Sequence, residues 1–311
     1  MTVTKVFLMS NFRGWILEAL VLESALAVKA TPKIQYLPSG FRSINSLSQF
    51  CNWFWPRLGS TNLFIHHRTF LEVLKMKKLE KSTNLIWLTH FSDFDEVDGL
   101  IQMQQNISRV FVQSTRLSNK LVEFGLAIEK ITVIPGAVDR GVFFPLEKGQ
   151  DPGNYFIFTG DCKPRKNPEI VEWIIRNFPE YNFVIHGRGW CKFNDGSLRK
   201  YQNLRILEFD YTNQGLLLRE ARALISVSQI EGGPISILEA LASGTPVITT
   251  DTGFVADIID STNGIIVDFN LSKTQWKIWL SEIQNLKHAN SPTDYLGGKF
   301  SWFELGKEFY G

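Results

Sequence analysis

The densest chemistry in this chain lies in Glu231-Gly232-Gly233-Pro234-Ile235-Ser236-Ile237-Leu238-Glu239, followed by Ala240-Leu241-Ala242-Ser243-Gly244. Pro234 suits a first helical turn, where its missing N–H would have no partner anyway, and Gly244 stands where helices end in a left-handed residue. A helix is therefore expected to open at the glycine pair. Unpaired N–H groups and the positive end of the helix dipole attract phosphate there, and the small residues let a ligand approach the backbone of Gly232, Gly233, Pro234 and Ile235. Glu239, farther along the helix, is placed to accept two hydrogen bonds from a ribose diol. The bare spacing of the two glutamates also fits a capped surface helix.

The flanking segments must position these groups. Tyr155-Phe156-Ile157-Phe158-Thr159-Gly160 is an apolar run closing on glycine. It is followed by Asp161-Cys162-Lys163-Pro164-Arg165-Lys166-Asn167-Pro168 and then by helix-spaced Ile170, Val171, Ile174 and Ile175, which reads as strand, basic loop, helix. Further strands are expected at Phe183–His186, ending in the turn Gly187-Arg188-Gly189, at Leu204–Asp210, at Leu224–Ser228 and after Gly244. The first half alternates in the same way, with strands expected at Lys5–Met9, Lys33–Tyr36, Asn62–Ile65, Leu85–Leu88, Val110–Gln113 and Ile131–Ile134. Strand-helix alternation implies parallel sheets with right-handed crossovers and ligands beyond the carboxyl ends of the strands. Each candidate in the second half falls at such an end.

With those motifs in place, the chain resembles the retaining glycosyltransferases of GT-B fold, whose C-terminal domain carries a Glu-x7-Glu motif in a run very similar to EGGPISILEALASGTPVITTDTG. The resemblance implies an α/β architecture of two Rossmann-like domains with parallel sheets facing across a cleft. Residues 1–145 would form the acceptor-side domain and 146–295 the domain that binds a nucleoside-diphosphate sugar. Residues 296–311, opened by a Phe-Ser-Trp element, would form a helix returning toward the first domain. Lys166 matches the family's diphosphate-binding lysine. The arginine expected a few residues earlier is Asp161 here, an acid that would repel phosphate unless Arg165 or Lys163 supplies the charge. By the same resemblance, Gly160, Gly187 and Tyr211 would flank the nucleotide and His90 would contact the donor sugar. The glycine pair that often follows the first strand is reduced to Ser10-Asn11-Phe12-Arg13-Gly14, leaving Gly14 for that contact.

The length of 311 residues, with 44% hydrophobic and 21% charged residues, allows two α/β domains with real cores. Residues 1–145 hold 16 basic against 11 acidic side chains and 146–311 hold 17 against 20, so the first half is the basic one. That balance suits an anionic acceptor or a lipid surface, and solvated lysines explain it nearly as well. No nucleic-acid signature is present. Cys51, Cys162 and Cys191 lack metal spacing and fit a reducing, cytoplasmic compartment. Trp15–Val28, interrupted by Glu18 and Glu23, reads as an amphipathic helix rather than a membrane span. The aromatic run Phe50–Phe64, with Trp53, Phe54 and Trp55, and the lysines after it fit either core packing beside a basic helix or peripheral membrane contact. Asp93-Phe94-Asp95 could hold a divalent cation, but such triplets are common in solvated loops, and no cofactor or metal is expected.

The expected chemistry is therefore transfer of a sugar from a nucleoside-diphosphate sugar to an acceptor hydroxyl with retention, independent of metal. Lys166, Arg165 and the N–H groups near Gly233 would stabilise the leaving diphosphate, Glu239 would hold the ribose, and Glu231 and His90 the sugar. Two other readings fit these motifs: a glycosyltransferase-like partner protein that has lost turnover, and a GT-B sugar-nucleotide epimerase.

Overall fold

The computed structural model describes residues 5–9, 16–37, 61–76, 82–89, 94–147, 150, 153–269, 272–288 and 294–311. The chain divides into two compact units, Met1–Gly136 with Trp302–Gly311, and Ala137–Ser301. Gly14, His90 and Asp93 lie outside the described residues, as do Trp53, Phe54 and Trp55.

In the first unit, β1 (Lys5–Met9), β2 (Lys33–Leu37), β3 (Thr61–Ile65), β4 (Thr83–Leu88), β5 (Arg109–Val112) and β6 (Ile131–Val133) form one parallel sheet of order β2-β1-β3-β4-β5-β6. Its central strands carry the buried apolar runs Leu63–Ile65, Leu85–Leu88 and Val110–Val112, as expected where helices cover both faces of a parallel sheet. Phe7, Phe64, Ile86, Val110 and Val112 meet α2 (His67–Met76) through Phe70 and Val73, α3 (Phe94–Gln102) through Val97 and Leu100, and α4 (Thr115–Glu123) through Leu117 and Leu121. Phe64, the described end of the Phe50–Phe64 run, is a core residue.

The helix α1 (Ile16–Ala27) departs from the amphipathic expectation: its buried face is Leu20, Val21, Ser24 and Ala25, but its exposed face carries Leu22 and Leu26 beside Glu23. The helix α10 (Trp302–Tyr310) lies on α1, with Tyr310 Oη donating to the Val21 carbonyl at 3.2 Å. Its buried stripe is Leu305, Gly306, Phe309 and Tyr310, and Phe309 meets Trp87 and Phe111 edge-on at 5.5 and 5.1 Å. Phe303 falls off that stripe and is exposed, with the Lys307 ammonium 4.7 Å from its ring.

In the second unit, β7 (Phe156–Thr159), β8 (Phe183–His186), β9 (Leu204–Leu207), β10 (Ala223–Ser226), β11 (Val247–Thr250) and β12 (Gly264–Val267) form a second parallel sheet, ordered β12-β11-β10-β7-β8-β9. The expected division near Pro145 moves back to Gly136/Ala137. Apolar packing explains the shift: Val138 and Phe143 are fully buried in the second unit's core with Leu218, Leu238 and Phe254. The helices α5 (Pro168–Asn177), α6 (Tyr211–Glu220), α7 (Ile235–Ala242), α8 (Val255–Ile258) and α9 (Lys273–His288) complete the unit. Strand order reverses between β7 and β10, and it is beyond the carboxyl ends of strands at such a reversal that doubly wound sheets bind ligands.

Candidate functional site

Two loops meet at that reversal. The first leaves β7 through Gly160 (φ 104°), makes a tight turn over Pro164–Lys166 and enters α5 behind Asn167, itself left-handed at φ 57°. The second leaves β10 and runs through Glu231 to α7. The backbone ties them, with the Gln229 N–H donating to the Arg165 carbonyl at 2.8 Å. Lys166 and Arg165, from the first loop, both reach Glu231, from the second: Lys166 Nζ lies 2.6 Å from Oε1 and Arg165 Nη1 2.5 Å from Oε2. Burial pushes the pKa of Glu231 up, but the two cations outweigh it and hold the carboxyl below the usual carboxylate range. Lys166 is the deeper cation, its side chain 15% exposed against 45% for Arg165.

Gly160 is required beneath that lysine. A Cβ there would lie 3.2 Å from Lys166 Cε, on a backbone that L-residues rarely adopt. Gly187 is tighter still, because a Cβ would fall 2.0 Å from the Gly160 carbonyl oxygen. At that crossing the Gly160 N–H donates to the His186 carbonyl and the Trp190 indole N–H to the Gly160 carbonyl, at 3.0 and 2.8 Å. Gly187→Ala is therefore expected to push the β7 and β8 loops apart. It should cost about 1–3 kcal/mol, the usual range for overpacking, read as a lower denaturant midpoint. Unchanged stability would show that the crossing has slack.

The Glu231–Glu239 segment differs in one detail from its expected form. Pro234 is the residue before the helix (φ −74°, ψ 81°) rather than part of its first turn, and α7 starts at Ile235. The Ile235 N–H donates to the Gly233 carbonyl at 2.9 Å and the Ile237 N–H to the Pro234 carbonyl at 2.8 Å, so Ile235 offers no free N–H to a ligand. The far end closes as the glycine predicts: Gly244 has φ 67° and its N–H meets the Leu241 carbonyl, while the Thr245 N–H reaches that of Ala240.

Glu239 sits inside this helix with 7% of its surface exposed. Burial lifts its pKa to about 7, against a donated hydrogen bond from Gln214 and the nearby Lys166 charge, both of which favour the carboxylate. Gln214 Nε2 donates to Glu239 Oε2 at 2.6 Å, and on the other side of the same amide Oε1 meets His186 Nδ1 at 2.9 Å. His186 Nε2 in turn accepts the Asp210 backbone N–H at 2.9 Å. The imidazole is thus neutral with its proton on Nδ1, and burial accordingly lowers its pKa. Its ring stacks on Phe209 at 5.3 Å, and the Arg188 guanidinium lies 5.3 Å from the same ring. Tyr211 opens α6, half-exposed, with its ring edge-on to Phe143.

Of the expected residues, the structure brings Lys166, Arg165 and Glu231 into direct contact and sets Gly160 and Gly187 beneath them. Glu239 is joined to the β9–α6 turn through His186 and Gln214, neither of which was singled out as functional from sequence. The only signal available for them was His186 at a strand end. Asp161 turns toward Arg188, accepting its backbone N–H at 3.4 Å and lying 3.9 Å from its Nη1. The side chain of Asp95 lies outside the described ones. No described helix is long and apolar enough to cross a membrane.

Residues 144–287 match the family model described as Glycosyl transferases group 1. Among curated proteins, the chain is 32% identical over 165 residues to the UDP-Gal:α-D-GlcNAc-diphosphoundecaprenol α-1,3-galactosyltransferase of Escherichia coli, covering 45% of this chain and 42% of the relative. It is 23% identical over 173 residues to the MMP α-(1→4)-mannosyltransferase of Mycolicibacterium hassiacum, covering 52% of this chain and again 42% of the relative. The match thus spans less than half the length of either relative. Among solved structures, HepE of Anabaena, in complex with UDP and glucose, superposes with a TM-score of 0.72 at 12% identity over 98% of both chains. The lipopolysaccharide outer core galactosyltransferase WaaB gives 0.66 at 14% identity, over 99% of this chain and 98% of the other. Likeness at such identities speaks for a common fold.

Proposed function

We propose that this chain transfers a sugar from a nucleoside-diphosphate sugar to an acceptor hydroxyl, with retention and without a metal ion; the match of residues 144–287 to the glycosyl transferases group 1 model and a fold shared with solved GT-B glycosyltransferases support the reading. The observation that carries the reading is the convergence of Lys166 and Arg165 on Glu231 at the strand-order reversal. The second unit takes the donor and the first serves the acceptor. The excess of basic residues in the first half suits an anionic or lipid-linked acceptor at a membrane surface.

Glu231 pairs with both cations, and its single charge leaves the three groups net positive. A donor diphosphate, carrying more charge, displaces that carboxylate from Lys166 and Arg165. The same two groups then stabilise the charge that grows on the leaving diphosphate as the glycosidic bond breaks. Released from its ion pairs, Glu231 accepts hydrogen bonds from the sugar hydroxyls, and Glu239 holds the ribose diol. The acceptor hydroxyl attacks from the face the diphosphate leaves and gives its proton to the departing diphosphate oxygen, which preserves the anomeric configuration. Asp161 does not oppose this, because its carboxylate is turned to Arg188.

A thermal-shift panel of UDP-, GDP-, ADP- and dTDP-sugars with and without EDTA tests the reading, since a ligand at 100 times its Kd stabilises by about 2.7 kcal/mol. UDP-sugars come first, because HepE was solved with UDP. The expected result is an EDTA-insensitive shift with one nucleotide class, followed by a product of unchanged anomeric configuration by NMR. A shift abolished by EDTA overturns metal independence, inverted product overturns retention, and binding with no product for any acceptor favours a binding protein.

A further inference from the structure

The buried chain Glu239–Gln214–His186–Asp210 N–H links two places that serve different parts of a nucleotide. At one end is the carboxylate proposed for the ribose diol; at the other is the backbone turn between β9 and α6. Every hydrogen bond in the chain has a fixed direction. The Asp210 N–H can only donate, so His186 Nε2 must accept and Nδ1 must carry the proton. That N–H donates to Gln214 Oε1, which turns the amide so that Nε2 donates to Glu239. An amide free to flip would present its oxygen to the carboxylate and repel it. Glu239, Gln214 and His186 are all buried, so water cannot substitute for a lost partner.

Resting on the donor-binding reading above, we propose that Gln214 and His186 are positioning residues that orient Glu239 as a hydrogen-bond acceptor for the ribose and couple it to the turn at Phe209–Tyr211. Glu239 never meets His186 directly. It senses the histidine's tautomer through the amide, and the turn senses Glu239 by the same route. The charged groups facing the chain are few. Lys166, from the loop after β7, favours the Glu239 carboxylate, and Asp210 and the Glu208 backbone favour a protonated His186 against its burial.

The test is the pH profile of donor affinity by calorimetry, using UDP-glucose first and GDP-mannose or ADP-glucose if it does not bind. These diesters carry no group that titrates near neutrality. Wild-type affinity should rise with pH as Glu239 ionises, with its midpoint near 7. Gln214→Met removes the donor to the carboxylate at similar volume. It should move that midpoint up by about one to two pH units, the equivalent of one hydrogen bond to a charged group, with affinity recovering at high pH. His186→Phe keeps a ring against Phe209 but frees the amide, so it should move the midpoint in the same direction by less. It carries the test alone if Gln214→Met gives no cooperative unfolding. Affinity lowered by the same factor at every pH, or a midpoint unmoved in the variants, overturns the positioning role while leaving the donor site intact. Failure of all three nucleotide sugars to bind the wild type overturns the donor reading and this inference with it.

Discussion

Lys166→Ala lowers kcat/KM by about two to three orders of magnitude, the usual loss when one preorganised donor facing developing charge is removed. The size of the effect follows from depth. The ammonium sits over Gly160 with 15% of its side chain exposed, where little water screens it. Arg165 reaches the same carboxylate but is 45% exposed, so Arg165→Ala is expected to cost far less, in line with solvent-screened ion pairs. The loss at Lys166 should fall on kcat as well as KM, because charge on the leaving diphosphate is greatest in the transition state. Steady-state kinetics on the two variants decide the matter. Equal, small losses at both positions would show that these cations serve the empty site's ion pairs rather than the reaction.

Glu239→Gln should stabilise the empty protein at pH values above neutrality and abolish tight donor binding. The sign follows from linkage. The carboxyl titrates at about 7 in the fold against 4.5 unperturbed, so the native state binds the extra proton between those values and stability falls as pH rises through that window. Above it the buried carboxylate costs up to about 3 kcal/mol, at 1.36 kcal/mol per pH unit. Glutamine keeps an acceptor for Gln214 Nε2 without the charge, so the variant escapes that cost. Thermal unfolding should show a gain for Glu239→Gln in alkaline buffer and almost none in acid buffer near the unperturbed value. An equal gain at both would mean that burial is not what raises the titration. Loss of the ribose acceptor makes this the stability–function exchange expected where a binding group is held in an unfavourable environment.

How much of this could be read without coordinates differs from element to element. Eleven of the twelve described strands fall where apolar runs bounded by glycine and polar residues put them, because a parallel sheet covered on both faces favours such runs; β12 (Gly264–Val267) was not singled out. The Gly244 terminus of α7 was equally legible, since few residues but glycine take its backbone without cost. Helix faces were less so. In α1, Glu18 and Glu23 suggested a polar face, yet Leu22 and Leu26 are exposed; Phe303 of α10 likewise lies outside. A helical pattern shows that some face is buried, while the neighbours decide which. The boundary shifted for the same reason: Val138 and Phe143 look like linker residues until the core that receives them is present.

The chain of residues itself determined the chemical vocabulary of the site: two glutamates flanking a glycine turn, a basic loop after a strand, and strand ends to carry them. Those are local matters of residue type, backbone freedom and hydrophobic period. Only the tertiary structure decided their state. It set Lys166 and Arg165 against Glu231, turned Asp161 toward Arg188, and buried Glu239 at the end of a polar chain through Gln214 and His186. Ion pairing and burial depend on what approaches from distant segments and on how much water it excludes. The same carboxyl group is held ionised at position 231 and titrates near neutrality at position 239 for that reason.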